Sequence, residues 1–303
     1  MSERGQRLGR YRLEELLGQG GMAEVWRATD EKLDRAVAVK VILAAHARDP
    51  HFRERFEREA KLVASLDHPN VLPVYDYGDE LGVPWLVMPY LDGGTLRDRM
   101  AEGPVPFARA VSWVRQLGDA LDAAHAAGIL HRDVKPANVL VRRDGRLALA
   151  DFGIAKMLEV TTGLTATGMV VGTPVYMAPE QAQGKPATPA SDRYALAVLA
   201  YELLSGRPPF DGESALALMH QHVTSPAPPL SSSVLGLPAG LDPVFERALS
   251  KDPAERPRSC RELADALVAF VPTGTGLDAE VATAPWGAAD RTSPTVFEPT
   301  PKR

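Results

Sequence analysis

The stretch that most constrains the fold of this chain runs from residue 131 to residue 153. It carries an acid, a lysine, an amide and a second acid, at Asp133, Lys135, Asn138 and Asp151. Between the amide and the second acid, Asp144 and Gly145 form a strong two-residue hairpin signal, and short apolar runs flank it. The chain is therefore expected to fold back on itself here and bring polar groups together.

This hairpin predicts a metal site. In a two-residue hairpin Arg143 pairs with Arg146, and counting outward sets Asn138 opposite Asp151. Opposed residues on antiparallel strands have Cα atoms about 4.5–5.5 Å apart. Amide and carboxylate oxygens are hard ligands that suit Mg²⁺. Taken alone, the pattern also fits an ordinary hairpin with polar ends.

Composition limits the classes of protein to consider. The 303 residues are 45% apolar and 24% charged, which is typical of a soluble globular chain. The net charge of −5, without a dense Lys/Arg run, argues against a nucleic-acid partner. Cys260 is the only cysteine, which excludes an intramolecular disulfide and fits a cytoplasmic location. The start of the chain lacks the apolar core of a signal peptide, and we expect no transmembrane segment.

A glycine-rich loop and an apolar strand precede this stretch. Glycines from Gly18 to Gly21 would let the backbone approach phosphates, although a plain flexible turn has the same composition. Because Val25 and Trp26 continue as strand, the loop is predicted to be a hairpin lid rather than a helix start. Lys40 lies in the apolar strand 36–42, either at a sheet edge or buried against an anion.

Several helices are predicted from periodicity and caps. Residues 51–66 place Phe52, Phe56, Ala60 and Val63 on one helical face, and Glu59 shares that face. An inward carboxylate needs a cation, and Lys40 is available; the alternative is a boundary carboxylate that reaches water. Further elements are predicted as a strand over 83–91, a helix over 106–127, a buried apolar helix over 192–205, and a last helix from the Ser259–Glu262 capping box to about residue 270.

Five motifs in order then identify a family resemblance. They are the glycine loop, Val37-Ala38-Val39-Lys40, His131-Arg132-Asp133, Asp151-Phe152-Gly153 and Ala178-Pro179-Glu180. Over roughly residues 11–270 the chain resembles eukaryotic-like (Hanks-type) serine/threonine protein kinases, most closely those of the actinobacterial type. The resemblance implies an α+β, bilobal protein-kinase fold. Its parts would be an N-terminal extension (1–10), a small β-rich lobe with one regulatory helix (11–91), a larger, mainly helical lobe (92–270) and a disordered Pro/Thr/Ala-rich tail (271–303).

The resemblance also implies the activity. The chain would transfer the γ-phosphate of ATP to Ser/Thr hydroxyls of proteins, with Mg²⁺ or, alternatively, Mn²⁺ as the metal. Asp133 would accept the hydroxyl proton and Lys135 would steady the γ-phosphate. Lys40 would hold the α- and β-phosphates and pair with Glu59. Asn138 and Asp151 would hold the metal.

The implied nucleotide site includes the glycine loop and the hinge between the lobes. Its residues would be Leu17, Gly18, Gln19, Gly20, Gly21, Met22, Ala23, Glu24, Val25, Ala38, Lys40, Met88, Pro89, Leu91 and Leu140. Adenine would lie between Ala38 and Leu140, with Met88 as gatekeeper and hinge contacts from the Pro89 carbonyl and the Leu91 N–H. Two residues depart from the family pattern, Ala23 in place of the third loop glycine and Pro89 in place of an acid, and neither removes a catalytic group.

The resemblance further implies regulation within the threonine-rich stretch 154–180. Thr165 and Thr167 match positions of autophosphorylation, and a phosphate there could dock near Arg132. Glu180 with Arg256 would form a buried ion pair, and Asp192 would brace the catalytic loop. Expected partners are protein substrates and a second copy of the chain for autophosphorylation in trans.

Two other interpretations stay open at this point. A pseudokinase would bind ATP without turnover, although Lys40, Glu59, Asp133, Asn138 and Asp151 are all present. A small-molecule phosphotransferase on a related fold would not need the Ala178-Pro179-Glu180 segment, which builds a peptide platform in the family.

Overall fold

The computed structural model describes residues 2–21, 23–43, 50–152, 174–233 and 237–272. They form a smaller, mainly β lobe followed by a larger, mainly helical lobe. The strands are β1 (Arg7–Leu8), β2 (Tyr11–Gln19), β3 (Ala23–Asp30), β4 (Arg35–Ile42), β5 (Asp76–Glu80), β6 (Val83–Pro89), β7 (Val139–Val141) and β8 (Leu147–Leu149). The helices are α1 (Pro50–Ala64), α2 (Leu96–Ala101), α3 (Phe107–Ala126), α4 (Pro179–Ala182), α5 (Pro189–Ser205), α6 (Ala215–Thr224), α7 (Leu230–Ser233), α8 (Leu241–Ala248) and α9 (Cys260–Val268).

The first six strands form one antiparallel sheet in the order β1-β2-β3-β4-β6-β5. Successive side chains of a strand point to opposite faces, so each face of the sheet has its own apolar cluster. The outer cluster contains Trp26, Val39 and Trp85. The inner cluster contains Ala38 and Met88 together with Ala148 and Ala150 from the large lobe. The inner face therefore closes over the β7–β8 hairpin.

Helix α1 confirms the helix predicted over 51–66. Phe56, Ala60 and Val63 are buried, as their helical spacing predicts. Phe52 lies where only the backbone is described. The helix packs beside β5 and β6, which sets its apolar face against the inner side of the sheet.

The large lobe is organised around α5. The sequence of this helix is apolar nearly all round, and its residues from Tyr194 to Tyr201 are all buried, which confirms the prediction. Gly206 ends the helix in the left-handed conformation, with φ of +75°. Helices α3 and α9 pack against each other and against α5. The predicted last helix is also confirmed: it begins after Ser259, whose side chain accepts the Glu262 N–H.

The hairpin register differs from the prediction by one residue. Val139 pairs with Leu149, whereas a two-residue loop pairs it with Ala150. The Arg142 N–H donates to the Arg146 carbonyl, which leaves a three-residue loop over 143–145. Gly145 has φ of +79°, and a type I turn followed by a left-handed residue is the usual three-residue loop. Asn138 therefore lies opposite Ala150, and Asp151 follows one residue later.

The two ends of the chain differ in how far the structure describes them. Strand β1 falls inside the predicted N-terminal extension and pairs with β2, so the sheet begins before residue 11. The tail from 273 to 303 lies outside the described residues. In the part of the chain that the structure describes, no helix combines the length and apolar composition needed to cross a bilayer.

Candidate active site

The loop that begins at His131, predicted to be the catalytic loop, is held in place by one carboxylate. Asp192, in the first turn of α5, is 2% exposed. Its two oxygens accept the backbone N–H groups of His131, over 2.9 Å, and Arg132, over 2.8 Å. His125 Nε2 lies 2.8 Å from the same carboxylate. Arg132 has φ of +66°, a costly conformation for a residue with a side chain, and the bond to Asp192 helps to hold it there. Asp192 thus braces the loop as the resemblance implies.

His131 fixes the backbone on both sides of the site. Its Nε2 lies 2.9 Å from the Ala150 carbonyl, and its Nδ1 accepts the Asp133 N–H over 3.2 Å. The ring also packs against Phe152, with centroids 4.8 Å apart. Burial lowers the pKa of His131, so the ring is neutral and its Nε2–H donates. The catalytic loop and the strand that leads to Asp151 are therefore tied through one buried imidazole.

The Asp133 carboxylate is oriented by two side chains. Its Oδ2 lies 2.8 Å from Lys135 Nζ and accepts from Asn138 Nδ2 over 3.0 Å. Asn138 Nδ2 also donates to the Asp133 carbonyl over 2.8 Å. Since the amide nitrogen is engaged, Asn138 Oδ1 is the atom left to coordinate a metal. Three of the predicted functional residues are thus brought within direct contact.

Asn138 and Asp151 line the same cavity, although they do not face each other across the hairpin. Asp151 has φ of +60°, in the left-handed region that residues with a side chain rarely adopt. Its Oδ1 lies 2.8 Å from Lys40 Nζ. An amide oxygen and a carboxylate on one cavity wall are a donor set that fits Mg²⁺. A metal bound at Asp151 would either share the carboxylate with Lys40 or displace the Lys40 ammonium group from it.

The expected ion pair between Lys40 and Glu59 is not formed in this structure, because Lys40 pairs with Asp151. A cavity of about 480 Å³ lies on the inner side of α1, and Lys40, Phe56, Val63 and Phe152 are among its lining residues. Glu59 is not part of that lining, and its ion pair among the described residues is with Arg58 at 3.9 Å. Apolar side chains of α1 therefore share this cavity with Lys40, and Glu59 lies beyond ion-pair distance of the lysine.

The cleft between the lobes contains a cavity of about 740 Å³. Its predicted nucleotide residues are Leu17, Val25, Ala38, Met88, Pro89, Leu91 and Leu140. Ala38 comes from the sheet and Leu140 from the hairpin, so two apolar walls face each other, which fits a flat, apolar base. Met88 lines both this cavity and the one behind it, the position expected of a gatekeeper.

The other predicted nucleotide residues do not line this cavity. Gly18 and Gln19 end β2, Ala23 begins β3, and Gly20 and Gly21 lie in the turn between the two strands, where the Gly20 N–H donates to the Ala23 carbonyl over 2.8 Å. Met22 lies outside the described residues. Glu24 points to the outer face of the sheet, away from the cavity. Its place follows from strand alternation, since its neighbour Val25 faces inward.

The cavity has further lining residues that were not predicted. They are Tyr90, Asp92, Gly94, Thr95, Ala137 and Ala150. Thr95 had a usable sequence signal, since it forms a capping box with Asp98 at the start of α2. Gly93, which precedes the lining residue Gly94, was a second sequence signal for this part of the cavity. A Cβ at Gly93 would lie 2.0 Å from the Val141 carbonyl oxygen, so only glycine lets the chain pass so close to β7.

The segment after Phe152 is described only from residue 174 onward. Thr165, Thr167 and Gly153 lie outside the described residues. At its end, Glu180 forms the buried ion pair with Arg256 that the resemblance implies, through two contacts of 2.8 Å. Burial acts to raise the pKa of Glu180, but hydrogen bonds from Arg256 and Ser191 outweigh it and lower that pKa.

Comparisons with known proteins identify the family of the chain. The protein kinase domain family matches residues 11–268. Serine/threonine-protein kinase PknA of Mycobacterium tuberculosis is 44% identical over 267 residues, which cover 86% of this chain and 61% of PknA. PknB of the same organism is 43% identical over 265 residues, which cover 86% of this chain and 42% of PknB.

A solved structure shows the same fold. The crystal structure of the PknI kinase domain of Mycobacterium tuberculosis aligns with a TM-score of 0.72 at 36% identity, covering 89% of this chain and all of that one. The bilobal fold expected from the sequence is thereby confirmed. The chain spans less than two thirds of PknA and less than half of PknB. From its motifs, its fold and these relatives, the chain belongs to the protein kinase family and groups with the bacterial serine/threonine-protein kinases.

Proposed function

We propose that the chain is a protein serine/threonine kinase that uses ATP and Mg²⁺ to phosphorylate hydroxyl groups of proteins. The observation that carries the proposal is the position of Asp133. Its carboxylate is held by Lys135 and Asn138, and Asn138 itself lines the cleft cavity. A base fixed beside the cleft between the lobes is what transfer to an external hydroxyl needs.

Each residue would have a distinct task. Asp133 would orient the substrate hydroxyl and accept its proton as the new P–O bond forms. Lys135 would stay near the transferred phosphoryl group, where its charge favours the transition state. Lys40 would hold the inner phosphates. Asn138 and Asp151 would hold Mg²⁺, which neutralises phosphate charge when it is bound.

Activation would require α1 to move. Lys40 is now paired with Asp151, and Glu59 is held apart from it. An inward movement of α1 would let Glu59 take Lys40 and release Asp151 for the metal. Autophosphorylation at Thr165 and Thr167 would favour that state by docking a phosphate near Arg132. Autophosphorylation in trans by a homodimer and a cytoplasmic location remain predictions from the sequence.

Autophosphorylation and peptide phosphorylation with Mg-ATP test the proposal. Asp133→Asn keeps the shape of the side chain but removes the base, so we expect a loss of at least about a hundredfold in kcat with ADP binding retained. Asp144→Asn, at the exposed hairpin turn, is the matched control. If the wild-type chain binds ADP yet labels no protein, the enzyme proposal fails and the pseudokinase interpretation stands. Transfer to a free sugar but never to protein supports the small-molecule alternative.

A further inference from the structure

Glu24 is an acidic residue of the glycine-rich hairpin that the nucleotide cavity does not use. It is the second residue of β3 and pairs with Gln19, beside the turn. Alternation along β3 sets it on the outer face with Trp26, whereas Val25 lines the cavity. The Glu24 residue is only 2% exposed. A buried carboxylate is costly unless donors satisfy it, so its partners indicate what it does.

Two N–H groups from different parts of the lobe meet on one oxygen of Glu24. The Trp26 indole Nε1 donates to Oε2 over 3.1 Å, and the Ser2 backbone N–H donates to the same atom over 3.1 Å. The Gln19 side chain makes a longer contact of 3.5 Å to Oε1. The carboxylate therefore links both arms of the hairpin to the start of the chain.

The N-terminal segment, residues 2–8, is itself fixed along β2. Leu8 is buried in the outer cluster, and β1 pairs with β2. Further along, the Gly5 N–H donates to the Leu13 carbonyl, and the Leu13 N–H donates to the Gln6 carbonyl. The segment thus runs beside β2 toward the glycine-rich turn and reaches Glu24 with Ser2. This links the glycine-rich hairpin to the folded sheet through the N-terminal segment.

We propose that Glu24 is a positioning residue for the nucleotide. Its carboxylate holds the glycine-rich hairpin against Trp26 and the N-terminal segment, and this sets the height of the turn above the phosphates. The inference rests on the proposed kinase function and adds to it a set of residues outside the cleft. Without the carboxylate, the hairpin samples more conformations and the nucleotide has to order it on binding. The free energy needed to order the hairpin then weakens nucleotide binding, and proton transfer at Asp133 is unchanged.

The experiment measures ADP affinity by calorimetry, and KM for ATP and kcat with a peptide, in four variants. Glu24→Leu removes the acceptor, and Trp26→Phe removes one donor. We expect each to raise the Kd for ADP and the KM for ATP by about tenfold, the effect of one hydrogen bond to a charged group. We expect kcat at saturating ATP to stay within about twofold. Glu24→Gln keeps an acceptor oxygen and should restore most of the affinity.

Trp85→Phe is the matched control. Trp85 belongs to the same outer cluster as Trp26, but its indole N–H has no hydrogen-bond partner among the described residues. The substitution removes the same atoms without touching Glu24, so ADP affinity should not change. Equal weakening by Trp85→Phe and Trp26→Phe would show that only packing matters, and would overturn the proposal. So would unchanged affinity in Trp26→Phe, or a fall in kcat with KM unaltered.

Two further outcomes separate this proposal from others. If Glu24→Leu fails to fold, the comparison of the two tryptophan variants still decides the question. If the wild-type chain binds ADP but phosphorylates nothing, the kinase function fails, and the calorimetric comparison still tests the role of Glu24.

Discussion

Lys40 Nζ lies 2.8 Å from Asp151 Oδ1, so the lysine expected to hold nucleotide phosphates is paired with the carboxylate expected to hold the metal. Both groups are partly shielded from solvent, with side-chain exposures of 18% and 27%. The ion pair neutralises two charges that would otherwise be left without a partner of opposite charge in the partly shielded cleft. In the proposed enzyme this pair would have to open before either group could perform its proposed task.

The first prediction concerns Glu59, which is held away from Lys40 in this state. Glu59→Gln should change the free energy of unfolding by no more than about 0.5 kcal/mol, because no close ion pair is lost. It should nevertheless lower kcat/KM by at least about tenfold, because the active state would lose its partner for Lys40. Thermal denaturation and steady-state kinetics check the two parts.

Glu57→Gln on the same helix is the control for that prediction. Glu57 forms an exposed ion pair with Lys61 at 2.6 Å, four residues along α1. Its loss should leave turnover unchanged. Equal kinetics in wild type and Glu59→Gln would contradict the proposed rearrangement.

A second prediction concerns Thr165 and Thr167, which come from the sequence alone. The double variant Thr165→Ala/Thr167→Ala should lower the activity of the autophosphorylated protein by about tenfold, because no phosphate can then dock near Arg132. Peptide phosphorylation after preincubation with Mg-ATP measures it. Thr161→Ala/Thr162→Ala, from the same threonine-rich stretch, should behave like wild type. Mass spectrometry that finds no phosphate on the stretch would contradict the prediction.

The third prediction concerns the ion pair between Glu180 and Arg256, whose side chains are 7% and 0% exposed. Arg256→Met leaves a buried carboxylate without its cation and should destabilise the large lobe by about 3–5 kcal/mol. Urea denaturation measures the loss. Adding Glu180→Gln to Arg256→Met should recover part of it, since the unpaired charge is gone. A double variant as unstable as the sum of the two single ones would show that the charges do not interact.

The fourth prediction follows from His222, which is fully buried and lies 2.9 Å from the Tyr194 hydroxyl. Burial, helped by the nearby Lys251 ammonium, lowers the pKa of His222 to about 4. His222 therefore binds a proton near pH 6.5 in the unfolded chain but only near pH 4 in the folded protein. Stability is complete above about pH 6.5 and falls by roughly 3 kcal/mol as the pH drops to about 4.

The difference between variants isolates this residue from other titrating groups. His222→Asn should flatten the fall in the free energy of unfolding between pH 6.5 and pH 4, as measured by urea titrations across that range. His220→Asn, an exposed neighbour on α6, should keep the wild-type slope. Identical slopes in all three proteins would rule out His222 as the source.

Features set by the local sequence of this chain could be predicted, whereas features set by a single backbone angle or by packing across a lobe could not. The burial of α5 could be predicted because its sequence is apolar nearly all round, and the buried face of α1 could be predicted from its helical periodicity. The hairpin register could not, since Asp144 and Gly145 suit both a two- and a three-residue loop and the φ of a single residue decides between them. The partner of Lys40 depends on the position of α1, which is set by packing across the whole lobe. Strand alternation alone would have predicted the outer position of Glu24. It was instead assigned to the nucleotide site because it follows the glycine motif.

Asp192 has a wider consequence for the enzyme. It ties two consecutive amides of the catalytic loop to the helix at the centre of the large lobe. The loop therefore belongs to the same cooperative unfolding unit as α5, and its amides should exchange with solvent only when that unit opens. Damage to the core far from the cleft should then reach Asp133 through lost loop order, while the wall of the cleft cavity that the β lobe supplies can persist.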